Sequence, residues 1–182
     1  MTFEKTVTLK DGRNCLLRNG VTSDGKAVLE VFNRTHEETD YLLTYSDENR
    51  FTASQEADFL QRKTDSANNV EIIAVVDDVV AGTAGIDALG MRDKIKHRAV
   101  FGIAITKEFW GLGIGKYLME ACIECAREAG YLQLELEVVA ENERAVEMYR
   151  RAGFIEYGRN PKAFRLRTGE YQELIDMRLE LK

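Results

Sequence analysis

The chain has 182 residues, 45% of them hydrophobic and 31% charged. That length fits one ordinary domain with a real core, and the composition excludes disorder and collagen. With 25 Lys and Arg against 31 Asp and Glu, the net charge is −6, which argues against a general nucleic-acid binder, whose footprint would be basic.

Taken in chain order, residues 14–18 read as a short first strand. Asp24 stands as an N-cap for a helix carrying Val28, Leu29, Val31 and Phe32, an apolar set at helical spacing. Residues 37–50 are acidic and irregular. Thr52 and Gln55 form a capping-box pattern and open a helix to about Lys63. Val70–Val76 is apolar and β-branched, Asp77 and Asp78 make a turn, and residues 79–89 resume strand character. This is a hairpin signal, though without the preferred glycine. A polar loop at 91–97 leads to a strand over Arg98–Ile105. Residues 111–115 are a glycine loop, and 116–129 a helix with Leu118, Cys122, Cys125 and Ala129 along its apolar stripe. Gly130 ends that helix. A strand at 131–139, a short helix at 142–151 and final strands at 154–157, 163–167 and 173–181 complete the order. Strand, crossover helix and strand imply a right-handed parallel unit around residues 98–139. The whole predicts a mixed α/β sheet with helices on both faces, in one domain over residues 1–182.

Cys15, Cys122 and Cys125 are too few and too unevenly placed for a disulfide framework, so a reducing, cytoplasmic setting is expected. Cys122 and Cys125 lie on an apolar stripe without a second cysteine pair or nearby histidine. They read as core packing, and no metal is expected. His36 and His97 are assigned no role. The N-terminus lacks the apolar region of a signal peptide, and the longest aliphatic run, residues 72–76, is far short of a membrane span.

The segment from Trp110 through Gly111, Leu112, Gly113, Ile114, Gly115 and Lys116 joins a strand to a helix. Its glycines free the backbone for positive φ and close ligand approach. The helix that follows offers unpaired N–H groups and the positive end of its dipole, an anion site suited to phosphate. Only three residues separate Gly111 from Gly115, and Tyr117 follows the lysine, so a Walker loop does not fit. Lys116 and Leu118 stand where a dinucleotide motif would need its third glycine.

The glycine loop is followed by a strand and then by a run from Asn142 through Tyr149 to Phe154. Together these resemble the GNAT family of N-acetyltransferases. The likeness is strongest over residues 98–158, closest in style to the ribosomal-protein and polyamine acetyltransferase branches. The resemblance implies a mixed α/β fold with a centrally splayed sheet, the acyl-CoA N-acyltransferase-like fold. It implies acetyl-CoA as cofactor, with its pyrophosphate on the loop from Gly111 to Lys116. Its pantetheine arm would pair with the strand at Ile103, Ala104 and Ile105. Asn142 matches the asparagine that bonds the arm, and Tyr149 the tyrosine that protonates the leaving thiolate. Trp110 stands where the family often has Arg or Gln. A homodimer is expected from family habit.

Acetyl transfer needs a neutral amine. A lysine-like amine is neutral in roughly one molecule in 2,500 at pH 7, a cost of about 4.6 kcal/mol. A positioned acid or base contributes about 10²–10⁴-fold. Leu132, Leu134, Leu136 and Val138 alternate to one face, so Gln133, Glu135 and Glu137 share the other. Glu137 stands five residues before Asn142, where the resemblance to ribosomal-protein alanine acetyltransferases implies a base. A water chain or a structural ion pair is the other reading of Glu137, and simple packing the other reading of Tyr149. The reaction implied is direct attack by a primary amine in a ternary complex. The acceptor would be a small molecule, a polyamine or a peptide or protein N-terminus. An acyl-CoA-binding regulatory module without turnover is the alternative, which a catalytic acid would not serve.

The charge is divided along the chain. Residues 30–58 carry eight Asp or Glu and two Arg, and residues 92–116 six Lys or Arg and two Asp or Glu. Glu37, Glu38, Asp40, Asp47 and Glu48 would face a cationic acceptor, and the basic stretch a polyanionic cofactor.

Overall fold

Asp77 and Asp78 both adopt the left-handed conformation, with φ of 50° and 64°. That is the geometry a two-residue hairpin demands, and short polar side chains tolerate it. The turn joins β3 (Val70–Val76) to β4 (Val79–Ala88) as expected. The computed structural model describes residues 1–181. Its other strands are β1 (Glu4–Thr8), β2 (Asn14–Asn19), β5 (Arg98–Ile105), β6 (Gln133–Val139), β7 (Ile155–Arg165) and β8 (Tyr171–Glu180). The helices are α1 (Gly25–Glu38), α2 (Ala53–Asp65), α3 (Ile114–Glu128) and α4 (Glu143–Arg151). All strands form one sheet in the order β1-β2-β3-β4-β5-β6-β8-β7. β5 and β6 are parallel and joined through α3, while the other neighbours are antiparallel. The mixed sheet and its parallel unit match the expectation.

Strand alternation sorts the core. Ile72, Ala74 and Val76 enter the main core with Leu118, Cys122 and Ala126 of α3 and Val146 and Tyr149 of α4. Ile73 points the other way, into a smaller cluster with Val28 of α1 and Leu60 of α2. Helices therefore cover both faces. α1 and α2 rest on β3, β4 and β5. Beyond them, Glu137 and Tyr157 are exposed.

Three local readings change. β1 carries mostly exposed residues at the sheet margin, so no hydrophobic period announces it. Asp24 does not cap α1 with its side chain. Its carboxylate is held by two nitrogens of Arg18 and accepts from the Val21 N–H at 2.9 Å. The tail is one long β7 where two strands were expected. Register shifts at Glu156/Gly158 and Asn160/Phe164 break its period. Pro161 falls inside the second shift, on an edge strand, where a missing N–H is tolerated. The Thr52 cap of α2 forms as expected: its hydroxyl accepts from the Gln55 N–H while Gln55 accepts from the Thr52 N–H.

Candidate active site

The site begins where the parallel pair fails. β5 and β6 are in register over Arg98, Ala99 and Val100, against Gln133, Leu134 and Glu135, and then part. The Thr106 N–H donates to the Ala81 carbonyl, and the Leu89 N–H to the Arg98 carbonyl. The even-numbered residues of β5 therefore bond to β4, and Phe101, Ile103 and Ile105 turn their backbone groups toward the gap. Ile103 offers it both an N–H and a carbonyl. The Ile105 carbonyl already accepts from the Trp110 indole at 2.7 Å. Ala104 faces β4, so of the three strand residues expected to meet the cofactor only Ile103 and Ile105 face the gap. Buried backbone groups need partners, and an amide-bearing arm laid along this edge would supply them.

The glycine loop lies beyond the open end of β5. Gly111 and Gly113 have φ of 87° and 97°, in the left-handed region. Gly115 has an ordinary φ and is needed for a different reason. A Cβ there would meet Met148 Sδ at 3.2 Å, so α4 packs directly on the start of α3. No side chain caps α3, and its first bonded amide is Tyr117, which donates to the Gly113 carbonyl. The N–H groups of Ile114, Gly115 and Lys116 are thus presented outward at the positive end of the helix. The loop is fixed from behind. Lys10 N–H donates to the Leu112 carbonyl at 3.1 Å, and the Tyr117 hydroxyl donates to the Thr8 carbonyl at 3.2 Å. Neither contact has a signal in the sequence, because both span about a hundred residues. Lys107 and Arg144 stand over the Trp110 ring at 6.0 and 5.8 Å, which keeps the rim of the loop cationic. Outward amides, a cationic rim and a free strand edge fit a pyrophosphate joined to an amide-bearing arm.

Tyr149 is 5% exposed. Its ring meets Phe101 edge-on at 6.1 Å and Phe154 at 5.7 Å. Burial pushes its phenol above the ordinary value, so it keeps its proton at neutral pH. Asn142 caps α4, with Oδ1 accepting from the Ala145 N–H at 3.3 Å. That bond uses its carbonyl and leaves its amide NH₂ able to donate.

The two acids of β6 divide. Glu135 is 7% exposed and both of its oxygens are held by Arg98. Glu137 is exposed, opposite Asp176 of β8. Arg98 was not singled out in the sequence, and no spacing rule links it to Glu135. All three cysteines are free and buried. Burial pushes the Cys125 thiol up to about 12 and Cys122 well above its ordinary value, which leaves no thiolate to act as nucleophile. No cluster of candidate metal ligands occurs among the described residues.

The acidic segment arches over the far end of β8. Tyr45 and Asp47 meet the β7–β8 hairpin there. Arg167 pairs with Asp47 at 2.7 Å, lies 4.0 Å over the Tyr45 ring and donates its N–H to the Tyr45 hydroxyl. Glu38 is held by Arg34 and the Lys107 N–H, and Glu48 accepts from the Tyr45 N–H. Three of the five acids thus serve local structure. Asp40 lines a cavity of about 220 Å³ between this arch and the hairpin, with Leu42, Leu43 and Phe164.

The model of the acetyltransferase (GNAT) family matches residues 28–154. The chain is 30% identical over 118 residues to L-amino acid N-acetyltransferase AaaT of Escherichia coli, covering 64% of this chain and 72% of that protein. It is also 30% identical over 111 residues to spermidine N(1)-acetyltransferase of Vibrio cholerae, covering 60% of this chain and 64% of that protein. A solved acetyltransferase of the GNAT family from Streptococcus pneumoniae superposes with a TM-score of 0.87 at 27% identity, over 91% of this chain and 99% of that one. The fold of yncA from Salmonella typhimurium, solved with its cofactor acetyl-CoA, superposes with a TM-score of 0.82 at 17% identity, over 93% of this chain and 95% of that one.

Proposed function

The chain belongs to the GNAT acetyltransferase family, and on that premise we propose how its residues carry acetyl-CoA-dependent N-acetyl transfer. Acetyl-CoA supplies the acetyl group as a thioester. The outward amides at Ile114, Gly115 and Lys116 hold its pyrophosphate, and Ile103 and Ile105 receive its arm in the gap between β5 and β6. Asn142 donates to the arm from the start of α4. The acceptor approaches from the opposite face, where Glu137 is exposed, beneath the arch of residues 39–48. Its nitrogen forms the new bond to the thioester carbon as the carbon–sulfur bond breaks. Glu137 takes the proton of the amine, directly or through water, and Tyr149 gives its proton to the departing sulfur.

The observation that carries this reading is the parting of β5 and β6 with Tyr149 on one face and Glu137 on the other. The acceptor is read as a primary amine, cationic at rest, with Glu37 at the end of α1 and Asp40 of the arch left to attract it. The 1–182 chain is read as one acetyltransferase domain, and as a homodimer through the free edge of β7, where Ile155 is 52% exposed. A cytoplasmic setting is read from the three free cysteines; no described helix is long and apolar enough to cross a membrane. The test is thiol release from acetyl-CoA across a panel of amines. Turnover that requires Tyr149 supports the reading. Binding of acetyl-CoA with no turnover of any amine overturns it.

A further inference from the structure

The turn of the β1–β2 hairpin, residues 9–13, meets the phosphate loop from a part of the chain that precedes the family-matched stretch. It is built to hold one shape. Leu9 is 4% exposed and packs in the main core. The Leu9 N–H donates to the Arg13 carbonyl at 2.8 Å, and the Gly12 N–H to the Leu9 carbonyl at 3.0 Å. The bonds of Tyr117 to Thr8 and of Lys10 to Leu112 then tie this turn to the loop. The Lys10 side chain lies along Gly113. Its Cγ and Cε each stand 4.0 Å from the point a Gly113 Cβ would occupy, one residue before the outward amide of Ile114.

The other cations around the loop have company. Lys107 and Arg144 stand over Trp110, and Lys116 lies 3.7 Å from Glu120. Among the described residues the Lys10 ammonium has no ion pair, no hydrogen bond and no aromatic ring. Its neighbour Asp11 is taken by Arg13 at 2.8 Å. A surface lysine without a partner is ordinarily just solvated. This one differs because its backbone is fixed against an anion site.

We propose that Lys10 is a cofactor-binding residue, whose ammonium pairs with the pyrophosphate of acetyl-CoA on the amides of Ile114, Gly115 and Lys116. The inference rests on the reading of those amides as the pyrophosphate site. The amides orient the phosphates, and Lys10 adds a full charge on a flexible stem, which suits a phosphate oxygen. With Leu9 buried and the turn tied down, only the side chain must be ordered on binding, which keeps the entropic cost low. The N-terminal hairpin thus belongs to the cofactor grip, and Lys10 acts on binding and not on the chemical step.

The test is calorimetry with coenzyme A on the unaltered protein, Lys10→Gln and Lys10→Arg. Lys5→Gln, earlier on the same hairpin, controls for the general loss of a positive charge. Lys10→Gln should raise Kd by about fivefold, as for an ion pair near the surface, and by less at high salt. Lys10→Arg should restore most of the affinity, and Lys5→Gln should leave it unchanged. The loss should be equal with dephospho-coenzyme A, which keeps the pyrophosphate and lacks the 3′-phosphate. With an amine that turns over, Lys10→Gln should raise the KM for acetyl-CoA and leave kcat alone. An unchanged Kd in Lys10→Gln, or an equal rise in Lys5→Gln, overturns the proposal and leaves the amide site standing. A rise seen with coenzyme A and absent with dephospho-coenzyme A also overturns it, because Lys10 then reads the other phosphate. No binding of coenzyme A by the unaltered protein overturns both this inference and the proposed function.

Discussion

Arg98 on β5 grips both carboxylate oxygens of Glu135 on β6. The ion pair runs diagonally over the short paired stretch, from the first step, where Arg98 opposes Gln133, to the last, where Glu135 opposes Val100 before the strands separate. It clamps the closed end of the gap, and the separation beyond it has a fixed starting point. Arg98→Met would leave a carboxylate buried without its partner. The expected loss is about 3 kcal/mol, at the low end for such sites because Arg98 is itself one-third exposed. Chemical denaturation measures it. The double variant with Glu135→Leu should recover part of the loss, because the orphaned charge is then gone.

Tyr149→Phe keeps the ring between Phe101 and Phe154 and removes only the hydroxyl. Stability should change little, since no hydrogen bond of that hydroxyl is found among the described residues. The rate should fall by about 10²-fold or more if the hydroxyl is the acid. A normal rate in the variant would remove the assignment.

Glu137→Gln separates the base from a bystander. As the base, Glu137 would take the proton of the amine, and the variant should lose most of its rate. Steady-state assays with one true acceptor decide this. Glu135→Gln should instead show itself in stability.

The glycine loop was legible from residue types, and the family resemblance picked out Asn142 and Tyr149. The loop lies between β5 and α3, Asn142 at the start of α4 and Tyr149 within it. The alternation of Leu134, Leu136 and Val138 placed Glu135 and Glu137 on one face. It could not show that they differ. Burial and Arg98 decide that, and both depend on strands brought together from 37 residues apart. The acids of residues 37–48 misled for the same reason. Asp47 is paired with Arg167, 120 residues away. β1 was missed because an exposed margin strand has no hydrophobic period.

Gly113→Ala forces a Cβ into the left-handed region at a strain of about 1–2 kcal/mol. Gly115→Ala instead pushes Met148 away and loosens α4 from α3. Both should raise the Kd for acetyl-CoA, measured by calorimetry. Only Gly115→Ala should also disturb kcat, because α4 carries Tyr149.

Glu71 of β3 lies under α2 beside Lys63, and burial pushes its carboxyl up to about 7. The folded state therefore holds a proton that the unfolded chain releases near the ordinary value of 4.5. Its contribution to stability is full below that value and is lost as pH rises through about 7. Glu71→Gln should flatten the pH dependence of Tm between these limits. An unchanged profile would show that Lys63 keeps the carboxylate ionised.

Trp110 is the single tryptophan of the chain. Its indole is tied to the Ile105 carbonyl, with its ring between Lys107 and Arg144 at the rim of the phosphate loop. The protein thereby carries its own optical reporter. Docking of a polyanion draws those two cations off the ring, and the emission of one fluorophore should track cofactor occupancy in real time, without a label and before any bond is made.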